Sequence, residues 1–133
     1  MRLSLIVTVA LTIQAAIAQT QMPACDGDIT LVRVSTIKPG ALPKFMAAVA
    51  AHQAWYRTNG IKDNQIVAAR VFVRDEATGT FKYSETEVVS YHFRPPMSVP
   101  NRGDAAWNAY VQQYRDSSEI KNEYMTCMPK SAR

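Results

Sequence analysis

The sequence is poor in the residues and motifs that most often identify an enzyme. It has two cysteines, two histidines and five glycines among 133 residues. It contains no Gly-x-Ser-x-Gly nucleophile motif, no phosphate-binding glycine loop and no dinucleotide-binding glycine pattern. These absences exclude the usual signatures of α/β hydrolases, P-loop proteins and dinucleotide-dependent enzymes, and we expect no cofactor.

The charged residues also lack the clustering that would identify a partner. The formal net charge of +4 is mildly basic and is spread along the chain without a run of Lys or Arg. Nucleic-acid binding needs a concentrated basic patch, so we expect no nucleic-acid partner. Neither histidine has the Cys/His spacing of a zinc site, and the sequence therefore predicts no metal.

The first eighteen residues have the three parts of a secretory signal peptide. Arg2 is the positive region, residues 3–13 are apolar, and residues 16–18 form a small-residue cleavage site. No later apolar stretch approaches the ~20 residues of a membrane span, so no membrane contact is expected after cleavage. We expect export, to the periplasm in a bacterium and otherwise by secretion. The predicted organisation is a signal peptide over 1–18, a polar lead-in over 19–27 and one domain over 28–133.

Two cysteines, Cys25 and Cys127, lie near the two ends of the mature chain. In an oxidising compartment they predict one disulfide within the chain. Two unpaired thiols or an intermolecular bridge are the alternatives. A bridge that closes a loop of about one hundred residues adds up to about 5 kcal/mol of stability if it acts through chain entropy.

Hydrophobic periodicity predicts four strands and two helices. The strands are expected at 29–36, 65–74, 80–94 and 123–128, the helices at 42–60 and 104–114, and a further helical turn at 119–122. This β-α-β-β-α-β order is that of a ferredoxin-like α+β domain, whose antiparallel sheet has the order 4-1-3-2. The first and last strands are neighbours in that sheet, which would place Cys25 beside Cys127.

Alternation along the strands predicts two faces of the sheet. We expect the apolar set, which includes Val89, Tyr91 and Phe93, to pack against the helices. The opposite face would then carry basic residues among apolar ones, namely Arg33, Arg70, Arg74, His92 and Arg94.

The predicted hairpin between the second and third strands leaves one conflict. The turn places Arg70 opposite Thr86 and Phe72 opposite Ser84. Glu85 and Glu87, however, fall on the predicted core face, which indicates either a bulge or a register shift of one residue.

Several motifs follow one another in an order known from one superfamily. Leu-Val-Arg-Val at 31–34 leads into Lys-Pro-Gly at 38–40, the first helix ends in Ala-Trp-Tyr-Arg at 54–57, and a long hairpin follows. Over roughly residues 28–128 the chain thus resembles the dimeric α+β barrel superfamily, which includes the antibiotic-biosynthesis-monooxygenase-like and stress-responsive barrel families. The resemblance implies a homodimer of paired sheets, with a pocket between sheet and helices in each subunit. Members include cofactor-independent oxygenases, cyclases, isomerases and haem-degrading enzymes, but none of their catalytic residues aligns with this chain.

The two histidines are the candidate catalytic residues. His52 lies in the apolar stripe of the first helix and His92 on the third strand. A histidine of near-neutral pKa can take a proton from a phenol or an activated carbon, and Arg33 or Arg70 would hold an acidic group or stabilise an oxyanion. The other candidate ligand contacts are Trp55, Tyr56, Phe72 and Arg94.

Each of these side chains also has a structural interpretation. A histidine in such a position is often a hydrogen-bonded core residue, and the arginines could lie on an open sheet face or in a dimer interface with paired charges. Two hypotheses about function follow. The first is a cofactor-independent oxygenase, cyclase or isomerase that acts on a small aromatic or acidic ligand. The second is a non-catalytic exported protein that binds a ligand or assembles.

Overall fold

A computed structural model describes residues 22–130, so the predicted signal peptide lies outside the described residues. The chain is α+β, as predicted. Neither helix in the described range is long and apolar enough to cross a membrane. The elements are β1 (Asp28–Ile37), α1 (Leu42–Thr58), β2 (Gln65–Arg74), β3 (Phe81–Phe93), α2 (Ala105–Ser117) and β4 (Ser118–Met128).

The four strands form one antiparallel sheet in the order β2-β3-β1-β4, which is 4-1-3-2 counted from the other edge. The strand β4 pairs with β1 from one end to the other, with Met128 opposite Asp28 and Ser118 opposite Ile37. This pairing brings the two ends of the domain together. A disulfide joins Cys25 to Cys127 with 5.6 Å between their Cα atoms, which confirms the predicted bridge.

The strand β4 begins earlier than predicted, and the helical turn predicted at 119–122 is wrong. The helix α2 runs directly into β4 because Ser118 already has an extended backbone, with φ −155° and ψ 168°. Residues 118–122 pair with β1 across a bulge between Val34 and Ser35. This pairing gives their backbone groups the hydrogen bonds that a lone helical turn would leave open.

The predicted register of the β2–β3 hairpin is also wrong. Arg70 lies opposite Val88 and Phe72 opposite Tyr83, instead of Thr86 and Ser84. Between these two pairs, residues 84–87 of β3 bulge opposite Val71 of β2. Glu85 lies within this bulge, whereas Glu87 lies opposite Thr36 of β1 and stays on the same face as Val89. Glu87 accepts a hydrogen bond from Lys121 at 2.9 Å, and its place is no conflict because this face does not meet the helices. At the turn itself, Gly79 has the left-handed conformation that the sequence predicts, with φ +70°.

The helices α1 and α2 pack together on one face of the sheet. Pro43 lies in the first turn of α1, where a missing N–H costs nothing. Asp104 caps α2 by accepting a hydrogen bond from the Trp107 backbone N–H at 2.7 Å. Two buried clusters hold the layers together: one consists of Ile37, Phe45, Val49 and Val88, and the other of Trp55, Tyr56 and Tyr110.

The helices cover the face of the sheet opposite to the one predicted. On this covered face, Leu31, Arg33 and Ser35 of β1 and Ser90 and His92 of β3 line a cavity beneath the helices. Alternation separates the two sets of side chains but does not say which set the helices cover, and both sets contain apolar residues.

The other face, here called the open face, carries the apolar set that was expected to meet the helices. Its members are Val32, Val34, Val67, Val89, Tyr91, Phe93 and Tyr124. Neither helix of the described chain packs against them, and none belongs to the two buried clusters. Val32 and Phe93 are nevertheless buried, and Val32 lies between Tyr91 and Tyr124 on the neighbouring strands.

Candidate functional site

A cavity of about 430 Å³ lies between the covered face and the two helices. The sheet forms its floor, α1 and α2 form its roof, and residues of the loop 95–102 close one end. Cavities of this size hold small organic ligands. Of the predicted site residues, Arg33, His52, Tyr56 and His92 line it, so these four meet in one place.

His52 lies in a stack of aromatic rings in the roof of the cavity. Its ring centroid lies 4.4 Å from that of Tyr110, with the planes 16° apart, and 5.0 Å from that of Tyr56. Its Nδ1 lies 3.5 Å from the Tyr114 hydroxyl, a long contact for a hydrogen bond. Its Nε2 is buried without a hydrogen-bond partner among residues 22–130. The fold therefore leaves one imidazole nitrogen unused.

His92 lies on the floor and is held by a buried amide. Asn64 Nδ2 lies 3.2 Å from His92 Nε2, and only 1% of Asn64 is exposed. The His92 ring centroid lies 5.7 Å from that of His52 and 5.2 Å from that of Tyr56. The two histidines are thus in edge-to-face contact, one from each layer. In the described chain, no three His, Cys, Asp or Glu side chains gather as a metal site would need.

Both imidazoles are neutral at pH 7. Burial, followed by the charges of His92 and Arg33, lowers the pKa of His52 from 6.5 to about 3. Burial, followed by the charge of Arg33, lowers the pKa of His92 to about 4. A neutral imidazole has one N–H donor and one lone pair, so each ring can donate one hydrogen bond and accept another.

Arginines supply the formal charges of the lining. Arg33, Arg102 and Arg115 line the cavity, and no Asp or Glu does so within the described range. Burial raises the pKa of the three lining tyrosine hydroxyls, so these stay neutral. The Arg33 Nε donates to Glu123, which leaves its two terminal nitrogens for a ligand. The Arg102 guanidinium lies over the Trp107 ring, 5.1 Å from its centroid.

Trp55 is one of four predicted site residues that do not line the cavity. It is 4% exposed, and its Nε1 donates to both carboxylate oxygens of Asp104 at 3.1 and 3.2 Å. Because Asp104 is also the cap of α2, this contact ties the two helices together. The structure thus gives Trp55 a place in the packing of the roof.

Arg70, Phe72 and Arg94 also lie outside the cavity. The Arg70 guanidinium lies 4.1 Å from the Tyr83 ring centroid, and Phe72 stacks on the same ring at 4.6 Å. This exposed group is on the β2–β3 hairpin. Arg94 follows β3 and donates to Asp28 at 3.0 Å, beside a smaller hollow near the disulfide.

Three polar residues of the site were not predicted. Tyr110 and Tyr114 were assigned only to the packing face of α2, although two hydroxyls on an apolar stripe are a signal, since a buried Tyr O–H usually finds a partner. The Tyr114 hydroxyl lies near His52 Nδ1, whereas the Tyr110 hydroxyl is buried without a hydrogen-bond partner among residues 22–130. Asn64 gave no signal, because it lies in an irregular loop where no periodicity constrains its side chain.

Comparisons with known proteins identify no family for this chain. No family model matches it, and no curated protein does. Among solved structures, a phage SAM lyase in complex with S-methyl-5′-thioadenosine is 12% identical, with 82% of this chain and 97% of that chain covered and a TM-score of 0.24. A likeness this weak carries no argument about fold or function.

Proposed function

We propose that this chain is an exported α+β-barrel protein whose cavity binds a small aromatic acid. The observation that carries the proposal is the lining, which combines aromatic rings and three arginines with no carboxylate in the described range. Aromatic walls favour a planar ring, and guanidinium groups bind carboxylate or phenolate oxygens. Since a cavity of ~150 Å³ already admits benzene, a volume of about 430 Å³ has room for a substituted ring.

The disulfide supports the exported part of the proposal. Bridges such as Cys25–Cys127 form and persist in oxidising compartments and are rare in the cytosol. The predicted signal peptide at 1–18 agrees with that location.

The barrel part of the proposal is a ferredoxin-like homodimer in which two open faces pack together. Val67 is 38% exposed and Tyr124 49% exposed on this face, an apolar surface of the kind that proteins usually cover. Four strands of about ten residues, spaced ~4.8 Å apart, give a face of about 600 Å². Two such faces would bury about 1,200 Å² in total, at the lower end of stable interfaces.

Calorimetric titration with benzoate tests the ligand class. The protein is expected to bind benzoate more tightly than benzyl alcohol, which has the same ring without the charge. Arg33→Gln should weaken benzoate binding about tenfold, since a hydrogen bond to a charged group is worth about 1.5 kcal/mol or more. Arg70→Gln is the matched control, because Arg70 lies outside the cavity. Equal binding of the two ligands, or equal weakening by both variants, would contradict the proposal.

Native mass spectrometry tests the homodimer. Val89→Lys places a charge on the open face and is expected to yield monomers. Ala50→Lys, at an exposed position of α1, is expected to leave the dimer intact. A monomeric wild-type protein would rule out this assembly.

The site does not favour proton abstraction from the ligand by a histidine. The burial that keeps His52 neutral also lowers its pKa to about 3, whereas a general base works best with a pKa near the working pH. The unpartnered Nε2 of His52 is itself buried, so it does not present its lone pair to a ligand in the cavity.

A further inference from the structure

The loop between α1 and β2 contains a chain of hydrogen bonds that ends at the cavity. Arg57, in the last turn of α1, donates from Nη1 to the Ile61 carbonyl and to Asn64 Oδ1, each at 2.9 Å. Its Nη2 donates to the Asn64 carbonyl at 2.6 Å. Asn64 is then 3.2 Å from His92. A surface arginine thus reaches a cavity residue through one buried amide.

This arrangement fixes which end of the Asn64 amide faces the histidine. A guanidinium has donors and no acceptor, so the amide atom that faces Arg57 must be the oxygen. The amide NH₂ group therefore faces His92. Both halves of the amide have a partner, as a buried amide requires.

The amide in turn fixes the imidazole. An NH₂ group can only donate, so His92 Nε2 must present its lone pair, and in a neutral ring the proton must be on Nδ1. Asn64 is the one hydrogen-bond partner that the structure shows for this ring within residues 22–130. The Nδ1 atom is not among the buried polar atoms that lack a partner in that range, which is consistent with access to the cavity.

We infer that Asn64, held by Arg57, is a positioning residue that keeps His92 as an Nδ1–H hydrogen-bond donor. His92 is then unsuited to be a base, because its lone pair is already engaged. That the Nδ1–H group of His92 donates to a ligand rests on the proposed function. Because Arg33 also lies on the floor of the cavity, the site offers an oxyanion one neutral and one charged hydrogen-bond donor. The ligand class narrows to aromatic carboxylates and phenolates.

Nitrogen-15 NMR of the disulfide-bonded mature chain tests the inference directly. The chain has two histidines, so the ring signals are few, and His52→Gln assigns them. At pH 7 the wild-type His92 ring is expected to show a pyrrole-type Nδ1 and a pyridine-type Nε2. Asn64→Asp replaces the donor with an acceptor of the same shape and should move the proton to Nε2. Asn122→Asp, at an exposed position of β4, is the control and should leave the ring unchanged.

Two results would overturn the inference: a wild-type His92 protonated at Nε2, or an unchanged His92 ring in a folded Asn64→Asp protein. If that variant fails to fold, the wild-type spectrum alone decides. Benzoate titration of the same samples tests the ligand separately. A fall of about fivefold or more in benzoate affinity for Asn64→Asp supports the role at the ligand. If the tautomer is as expected but wild type does not bind benzoate, the positioning role stands and the proposed ligand class fails.

Discussion

Lowering the pH from 8 to 5 is expected to destabilise the fold through its two histidines. An imidazole in the unfolded chain has a pKa near 6.5, whereas in the fold burial lowers the pKa to about 3 for His52 and about 4 for His92. Between the folded and unfolded values, the unfolded chain binds more protons, so protonation favours unfolding. The stability from these groups is complete above a pH of about 6.5 and is lost as the pH falls toward their folded pKa values.

The expected loss at pH 5 is about 2 kcal/mol for each histidine. At pH 5 an unfolded imidazole is almost fully protonated and a folded one is almost fully neutral. The unfolded pKa of about 6.5 lies about 1.5 pH units above this pH, and each unit is worth about 1.36 kcal/mol. Solvent screening reduces this little, because His52 and His92 are each 8% exposed. The sum of about 4 kcal/mol is a large share of the roughly 5–15 kcal/mol that stabilise a domain.

Urea unfolding at pH 8 and pH 5 measures this loss. The free energy of unfolding of the wild type should fall by about 4 kcal/mol. His92→Gln should remove about half of the difference, and the double variant with His52→Gln nearly all of it. Asp116 does not interfere, because its pKa is lowered by the hydrogen bond from Lys44 and it stays ionised at pH 5. A pH-independent wild type, or a double variant with the full difference, would refute the reasoning.

Three further sets of substitutions have effects on stability or benzoate affinity whose sign follows from the contacts described above. Cys25→Ser with Cys127→Ser should lower the free energy of unfolding by about 2–5 kcal/mol, measured in urea against the disulfide-bonded wild type, and the reduced wild type should match the variant. Trp55→Phe removes the hydrogen bond to the cap of α2 and should cost about 2 kcal/mol in the same assay, without a change in benzoate affinity by calorimetry. Glu123→Gln frees Arg33 from its ion pair and should tighten benzoate binding severalfold; unchanged or weaker binding would show that Arg33 does not meet the ligand.

Local patterns predicted the elements because each has a short-range cause. Alternation in residues 65–74 and helical spacing in the first helix are each set by nearby residues, and Gly79 is suited to the left-handed position of its turn. The disulfide followed because the two cysteines flank strands that become neighbours. The disulfide prediction needed only the order of the elements.

The site could be predicted only in part because its geometry depends on long-range choices. Alternation places Arg33 and Val32 on opposite faces but does not say which face the helices cover. The turn sets the register of the hairpin only as far as the bulge at 84–87, which shifts the pairing of the residues beyond it. Asn64 acquires its role from Arg57 and His92, which no sequence pattern links.

The crystal structure of the protein with 4-hydroxybenzoate tests the aromatic-acid site most directly. The ring is expected between the covered face of the sheet and the helices, beside His52, with the carboxylate within hydrogen-bond distance of an Arg33 terminal nitrogen and of His92 Nδ1. A ligand outside the cavity, or one inside it with the carboxylate turned away from Arg33, would contradict the proposed site.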